Sequence, residues 1–155
     1  MGRKKVVEQV DPWIFENKKL TDLADCPEGS YGFVYLIESK ISGKKYVGKK
    51  ALHSYKTVIS HEINPRTGRL NKVRNIVASE SNWKDYFGSS VEVKELIKAE
   101  GGKNNFIRTI LRFCFSKKEL TFREIQEQCI RNVLEDSDYI NSNIEGRYFR
   151  NEFVK

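Results

Sequence analysis

The alternation of apolar and polar residues predicts a β-hairpin between about residues 31 and 49. Residues 33–37 are apolar or aromatic, Ser42 and Gly43 follow as turn formers, and residues 45–50 read Lys-Tyr-Val-Gly-Lys-Lys. β-Branched and aromatic residues on both sides of a Ser-Gly pair are typical of two antiparallel strands. We therefore expect two short strands joined by a tight turn.

A helix and a further strand are predicted downstream. Ser89 or Ser90 can cap the N-terminus of a helix over residues 91–100, and a glycine pair follows its last turn. Residues 106–115 are rich in β-branched and aromatic side chains, which predicts a strand. We expect that strand to pair with the hairpin as its third member.

A second helix is predicted to begin after Ser116 and to continue to about Leu134. Ser116 is the expected N-cap, and Glu119, three residues later, would complete a capping box. The predicted fold is therefore α/β, with a small three-stranded antiparallel sheet flanked by helices. The expected core stripe of this helix consists of Phe122, Ile125, Cys129 and Val133, with Ile130 and Leu134 beside it.

Two segments lie outside this predicted core. Residues 1–30 open with basic residues and close with a Pro-Glu-Gly turn, which indicates an N-terminal extension. The segment 51–81 has weak periodicity and contains Pro65 and Gly68, so we expect a long, positively charged loop or a partly helical insertion. Residues 31–155 would form one domain around that insertion.

Basic residues are concentrated in one part of the chain. The net charge is +7, yet residues 44–74 alone contain nine lysines and arginines against a single acid, Glu62. A basic zone beside the hairpin is typical of proteins that bind a phosphate backbone, although a solvated lysine-rich surface gives the same composition.

Cysteine usage and hydropathy exclude several classes of protein. Cys26, Cys114 and Cys129 are widely spaced and odd in number, so neither a disulfide framework nor a zinc site is predicted. We expect reduced thiols and a cytoplasmic protein. No apolar run approaches the roughly 18 residues of a membrane span, and residues 1–5 lack the apolar segment of a signal peptide.

Two segments of the hairpin resemble the paired half-motifs of the GIY-YIG nuclease family. Residues 33–35 (Phe-Val-Tyr) stand in the place of the first half-motif, and residues 46–48 (Tyr-Val-Gly) in the place of the second. Phe33 occupies the position of the family's first glycine, and Gly32 is one residue early. A hairpin that turns near residue 42 would bring the two tyrosines together; mere packing across the strands is the structural alternative.

The resemblance also implies a metal ligand. The family carries a glutamate early in the helix after the third strand and an asparagine further on, and these roles fall on Glu124 and Asn141, with Glu127 as the competing glutamate. Glu124 would hold a single divalent cation, Mg²⁺ or another ion such as Mn²⁺. Helical periodicity by itself places Glu124 opposite the predicted core stripe, facing solvent.

Tyr35 or Tyr46 would orient or deprotonate the water that attacks the phosphodiester. A phenol has an ordinary pKa near 10, so it is a poor base at neutral pH. A cation beside the ring, either Lys49 or Lys50, or else an arginine, would have to stabilise the phenolate or the attacking water.

The family's arginine has no obvious counterpart. Lys56 stands at the expected distance from the second half-motif, and Arg69 or Arg74 could fold back to the site from the insertion. His53 and His61 are alternative acid or base groups, because imidazole titrates near neutral pH. The residues expected to contact DNA are Lys44, Lys45, Lys50, Lys56, Arg66, Lys72, Asn141, Arg147 and Arg150.

Taken together, these features predict a metal-dependent DNA endonuclease. Residues 82–90 and the tail 141–150 resemble a phage-borne branch of the family, which would place the protein in the host-cell cytoplasm. The expected partner is duplex DNA, and a membrane is not expected to be a partner. One catalytic centre per chain would cut both strands through a homodimer or through sequential nicks. An inactive nucleic-acid-binding module of the same fold and a small RNA-associated or scaffold protein are the alternatives.

Overall fold

The computed structural model describes residues 10–154 as a mixed α/β fold. Residues 1–9 and 155 lie outside the described part, and with them the basic start of the predicted extension and the segment tested for a signal peptide. The nine strands in this part are β1 (Trp13–Phe15), β2 (Lys18–Leu20), β3 (Gly32–Ser39), β4 (Lys45–Ala51), β5 (His53–Ile63), β6 (Leu70–Glu80), β7 (Phe106–Cys114), β8 (Asn143–Ile144) and β9 (Tyr148–Phe149).

The central sheet contains five strands in the order β2-β1-β7-β3-β4. The predicted hairpin and third strand are confirmed, because β3 pairs antiparallel with both β4 and β7. The predicted strand number is wrong, since β1 adds in parallel to β7 through Ile14 and Thr109 and β2 adds antiparallel to β1. Strands of three residues are too short to produce a detectable alternation of side chains.

The helices are α1 (Val91–Ala99), α2 (Lys117–Ile130) and α3 (Arg150–Phe153). The predicted caps of the first two are confirmed, because the hydroxyls of Ser90 and Ser116 accept hydrogen bonds from Val93 N and Glu119 N. The Glu119 carboxylate accepts from Phe115 N rather than from the cap residue itself. In residues 10–154 no helix has the length and apolar composition to cross a membrane.

Helix α2 packs on the sheet through a different face from the one predicted. Leu120, Glu124 and Gln128 are buried, whereas Phe122 and Ile130 are 60% and 69% exposed. The buried polar groups have partners at the sheet, so tertiary hydrogen bonds replace the apolar contacts on which the stripe prediction depended.

The end of α2 also differs from the prediction. The helix stops at Ile130 instead of continuing to about Leu134, and Cys129 is exposed. Val133 and Leu134 are nevertheless buried, because the turn after the helix returns them to the core. A continuous helical stripe therefore does not describe how these two side chains reach the interior.

The segment predicted as a loop or partly helical insertion is a long β-hairpin. Strands β5 and β6 pair antiparallel over eleven residues each, from His53 opposite Glu80 to Ile63 opposite Leu70. We call residues 53–80 the hairpin arm. Most of its residues are exposed, so neither face shows the apolar-in, polar-out alternation by which half-buried strands are detected.

The core has one layer on each face of the central sheet. Trp13, Phe33, Tyr35 and Trp83 pack on one face, while α2 covers the other. Phe33, at the family's glycine position, lies edge-to-face on Trp13 with ring centroids 4.9 Å apart. The glycine is needed one residue earlier, because a Cβ at Gly32 would stand 2.5 Å from the backbone oxygen of Lys50.

Candidate active site at the edge of the sheet

Strand β4 forms one edge of the central sheet, and two side-chain amides occupy part of that edge. Asn141 accepts a hydrogen bond from Val47 N at 3.1 Å and donates to Val47 O at 2.8 Å. Gln128 Nε2 donates to the same carbonyl at 3.2 Å. Because Asn141 is 2% exposed and its amide is engaged in this way, its position does not fit the DNA contact predicted for it.

Beside this edge, Lys49 forms ion pairs with two carboxylates. Its Nζ lies 2.8 Å from Glu124 Oε2 and 2.9 Å from Glu145 Oε1, and it donates a hydrogen bond to Thr121 Oγ1 at 3.2 Å. Lys49 projects from β4, Glu124 from the buried face of α2 and Glu145 from the turn between β8 and β9. Three distant segments of the chain thus meet at one ammonium group.

The two carboxylates differ in their electrostatic environment. Burial raises the pKa of Glu124 to about 7, although its hydrogen bond from Lys49 acts in the opposite direction. Hydrogen bonds from Lys49 and Glu124 lower the pKa of the less buried Glu145. Burial acts to lower the pKa of Lys49, but the bonds to both carboxylates outweigh it and raise that pKa. At neutral pH the Glu124 carboxyl is therefore close to its midpoint of protonation.

The two tyrosines of the half-motifs lie side by side, with ring centroids 6.3 Å apart. Tyr35 is 1% exposed, and burial raises its pKa well above the ordinary value. Burial followed by the charge of Glu124 raises the pKa of Tyr46 to about 12. Both shifts are opposite to those required of a base, so at neutral pH both phenols are protonated hydrogen-bond donors.

Glycine is required beneath the Tyr35 ring. A Cβ at Gly48 would lie 2.5 Å from the Tyr35 hydroxyl oxygen and 2.9 Å from a ring carbon of Tyr46. Gly88, at φ +88°, approaches the same hydroxyl, with a hypothetical Cβ 3.2 Å away. The glycine of the second half-motif is therefore the residue that lets both phenols pack over β4.

A polar cavity of about 310 Å³ lies beside Tyr46, Lys49 and the two carboxylates, and we call it the edge cavity. Its lining includes Tyr46, Lys49, Glu92, Glu124, Gln128 and Glu145. Within residues 10–154 no group of three or more His, Cys, Asp or Glu side chains has metal-binding geometry. The two adjacent carboxylates nevertheless supply the hard oxygen donors that Mg²⁺ prefers, and Gln128 Oε1 is buried without a hydrogen-bond partner in the described part.

The structure does not bring the predicted arginines and histidine to this cavity. Arg69 lies at the far end of the hairpin arm, Arg74 pairs with Ile59 along it, and His53 starts β5 at its base. At about 3.3 Å per residue, eleven residues separate the two ends of the arm by roughly 35 Å. The edge cavity therefore contains the predicted Lys49 but neither of the two predicted arginines.

The residues predicted to contact DNA fall into different environments. Lys56, Arg66 and Lys72 belong to the exposed hairpin arm, and Arg147 is exposed beside Glu145. Lys50 lies over the Tyr86 ring with its Nζ 4.2 Å from the ring centroid.

Three further predicted DNA contacts, like Lys50 and Asn141, already have partners within the chain. Lys44 donates to the carbonyl of Ser137 at 2.7 Å, and Lys45 lies 5.9 Å from the ring centroid of Tyr139. Arg150 donates to four carbonyls of the segment after α2, which makes it a clamp for that segment. Those carbonyls belong to Val133, Asp136, Tyr139 and Asn141.

Three cavity residues carry no signal in the sequence pattern that marks them as site residues: Glu145, Gln128 and Glu92. Glu145 occupies a tight turn, with φ +49° followed by Gly146 at φ +62°, and the Glu-Gly pair is a local turn signal. Gln128 is one helical turn beyond Glu124, and its place follows once the buried face of α2 is known. Nothing local to residues 143–146 indicates that their turn folds onto Lys49, 96 positions earlier.

Residues 13–144 match the family described as "Putative endonuclease segE, GIY-YIG domain". The chain belongs to this GIY-YIG family. The matched region begins at the first residue of β1 and ends at the last residue of β8, so it contains the two tyrosines, Lys49 and Glu124. No curated protein and no solved structure matches the chain. Membership identifies an endonuclease domain family, whose nucleases generally use divalent metals and act on DNA.

Proposed function

We propose that this GIY-YIG chain is a divalent-metal-dependent DNA endonuclease that hydrolyses phosphodiester bonds at the edge cavity. One observation carries the proposal: Tyr46, Lys49 and Glu124 line a single polar cavity although they come from β4 and from a helix more than 70 positions away. Packing alone would not require a buried carboxylate whose pKa is raised to about 7.

Glu124 and Glu145 are the residues that would hold the cation, Mg²⁺ or Mn²⁺. Their oxygens are suitable ligands for a small hard ion, which keeps its remaining positions for water and phosphate. When bound, such an ion stabilises the charge that develops on the phosphate and on the leaving oxygen. Deprotonation of Glu124 is the step that prepares the chain's own ligand set.

The remaining residues would position the attacking water and stabilise the negative charge of the phosphate. The Tyr46 phenol, protonated at neutral pH, can donate a hydrogen bond to a phosphate oxygen or orient the attacking water. Lys49 supplies the positive charge of the cavity and would share it between Glu124 and the phosphate. Tyr35 is buried, so it would contact neither the phosphate nor the attacking water. Its ring packs against the Tyr46 ring and keeps that ring in position.

An inactive DNA-binding module is the second candidate, and the cavity itself favours it. No arginine is among the described residues that line the edge cavity, whereas a planar guanidinium would hold a phosphate through two hydrogen bonds. The ammonium of Lys49 is also occupied by two carboxylates. A chain that binds DNA strongly without cutting it would fit these observations.

Duplex DNA in the host-cell cytoplasm is the proposed target. Cys26, Cys114 and Cys129 are all free thiols, in keeping with a reducing compartment. A single edge cavity per chain means that one copy makes one cut. Cleavage of both strands would then need either a homodimer on DNA or two successive nicks.

Plasmid cleavage tests the proposal directly. Supercoiled plasmid with Mg²⁺ should be nicked by the wild type, and Glu124→Ala should reduce the rate by at least about a hundredfold while DNA retention in a gel shift is kept. Glu127→Ala is the matched control, because Glu127 is on the same helix and pairs with Arg131 outside the cavity. Equal nicking by the Glu124 and Glu127 variants would overturn the proposed site, and binding without cutting by the wild type would favour the inactive module.

A further inference from the structure

We propose that the hairpin arm is a two-stranded DNA-reading ribbon that enters the major groove of the duplex tip first. The inference rests on the proposed function for its partner, since it takes DNA as the ligand. It goes further in naming a second contact surface, separate from the edge cavity, and the groove that this surface occupies.

The arm is a sheet with neither face covered. From Ser54 to Glu80 no residue is buried, and only Ser60, Asn64 and Val73 are half-buried. Its pairing with the rest of the chain is confined to the base, where Ser81 N donates to Leu52 O at 2.8 Å. Isolated two-stranded hairpins are only marginally stable in water, so a hairpin of this length is expected to function against a partner.

The charges of the arm select an anionic partner. The arm contains five cations against two acids, Glu62 and Glu80, and four of the cations lie at or near the tip. A second copy of the chain would place these cations against one another, which opposes an arm-to-arm dimer. A phosphate backbone is complementary to them. These four residues are Arg66, Arg69, Lys72 and Arg74.

The shape of the arm suits the major groove. Two paired strands are about 4.8 Å apart, and the major groove, about 12 Å wide, admits a two-stranded ribbon with its side chains. The tip also presents exposed Ile63 and Leu70, which are 69% and 68% exposed and directly opposite each other. Apolar groups at this place can contact the thymine methyl groups that line the major groove.

One face of the arm carries groups that read base edges, alongside three valines and Glu62. Lys56, Ser60, Asn71 and Asn75 lie on one face, because alternate residues of a strand share a face and cross-strand partners lie side by side. Asparagine, serine and lysine side chains form the hydrogen bonds by which bases are distinguished in this groove.

The arm is joined directly to the strand that carries the cavity's lysine. β4, which carries Lys49, ends at Ala51, and β5 begins at His53. The base is further held by Tyr31 and Tyr55, whose rings are stacked with centroids 6.2 Å apart. An arm of roughly 35 Å spans about one turn of duplex, so the groove that it contacts would lie within about ten base pairs of the cut.

The test measures DNA binding by the full chain in EDTA, where cleavage plays no part. The variant Arg66→Ala/Arg69→Ala removes two charges from the tip, and the control Lys18→Ala/Lys19→Ala removes two charges from exposed strand β2 at the opposite edge of the sheet. Fluorescence anisotropy with a 40-base-pair duplex, a length of about four turns, should show at least about tenfold weaker binding for the tip variant. Its plot of log K against log salt should also be shallower by up to about 2, while the control changes affinity less than about twofold.

Dimethyl sulfate footprinting identifies the groove, because guanine N7 lies in the major groove and adenine N3 in the minor groove. Wild type should protect guanine N7 at sites that the tip variant leaves reactive. Wild-type affinity in the tip variant, protection of adenine N3 alone, or arm-dependent dimers of the free chain in sedimentation would each overturn the inference. Both variants must show the wild-type far-ultraviolet spectrum and melting temperature, and the tip's exposure makes this the expected result.

The outcomes separate this inference from the endonuclease proposal. If the wild type binds through the arm but never nicks plasmid, the arm is supported and the endonuclease fails. If the wild type nicks but the tip variant binds and footprints normally, the endonuclease stands and the arm inference fails.

Discussion

At the scale of single residues, the site depends on a buried carboxylate whose charge is only partly compensated. Glu124 is 9% exposed and shares the ammonium of Lys49 with Glu145. A buried carboxyl group resists ionisation unless a counter-charge offsets the loss of hydration. Its pKa of about 7 therefore makes both stability and ion binding sensitive to pH near neutrality.

The first prediction concerns the pH dependence of stability without metal. The folded-state pKa of Glu124 is raised from an ordinary 4.5 to about 7, so its favourable contribution is complete below pH 4.5 and is lost as the pH rises through about 7. Relative to Glu124→Gln, the wild type should lose on the order of 3 kcal/mol over this window, at about 1.4 kcal/mol per pKa unit. Urea unfolding in EDTA at a series of pH values measures the difference.

Glu127→Gln is the control for that series and should follow the wild type. Mg²⁺ added at pH 8 should raise the stability of the wild type more than that of Glu124→Gln, because the ion binds only the folded site. Parallel curves for the wild type and Glu124→Gln between pH 4.5 and 8 would contradict the raised pKa.

A second residue-scale prediction concerns Gly48. In Gly48→Ala the new methyl group would overlap the Tyr35 hydroxyl oxygen at 2.5 Å and its ring carbon at 2.7 Å. Because Tyr35 is fully enclosed, we expect a loss of about 1–3 kcal/mol in the free energy of unfolding. Adding Tyr35→Phe removes the nearest atom and should recover part of the loss. Wild-type stability in Gly48→Ala would show that the ring is free to move.

At the scale of elements, α2 shows how partners decide the orientation of a helix. Its apolar stripe predicts one buried face, yet Glu124 and Gln128 are buried because Lys49 and the Val47 carbonyl satisfy them. Phe122 is exposed to solvent, and the Cζ of Arg123 lies 5.4 Å from the centroid of its ring. The capping residues at both helix starts were predictable, since a cap depends on neighbours within three positions.

Two alanine substitutions test this orientation. Leu120→Ala should lower the free energy of unfolding by about 2–4 kcal/mol, because the Leu120 side chain is 4% exposed and packs between α2 and the sheet. Phe122→Ala should change stability by about 0.5 kcal/mol or less, because the ring is largely in solvent. Denaturant unfolding compares the two variants. A larger loss of stability in Phe122→Ala than in Leu120→Ala would support the helix orientation predicted from the apolar stripe.

At the scale of the whole molecule, one edge cavity per chain and a cationic arm determine how the plasmid should be cut. The arm's charges oppose association between free copies, so each copy is expected to act alone. With Mg²⁺ and enzyme at low concentration, nicked circles should accumulate before linear DNA, at a rate proportional to enzyme concentration. Agarose gels over time measure both products; linear DNA formed directly with a second-order dependence on enzyme would indicate a homodimer.

The sequence alone determined the features that depend on neighbouring residues: the β3–β4 hairpin, strand β7, the helix caps, the second half-motif and the basic segment. Turns, caps and strand pairing across a short loop involve interactions between residues a few positions apart. Long-range packing, by contrast, sets the five-stranded sheet, the buried face of α2, the hydrogen bonds of Asn141 at the β4 edge and the ion pair of Lys49 with Glu145. These contacts join positions as far as 94 and 96 residues apart, and local pattern carries no information about which distant groups will satisfy one another.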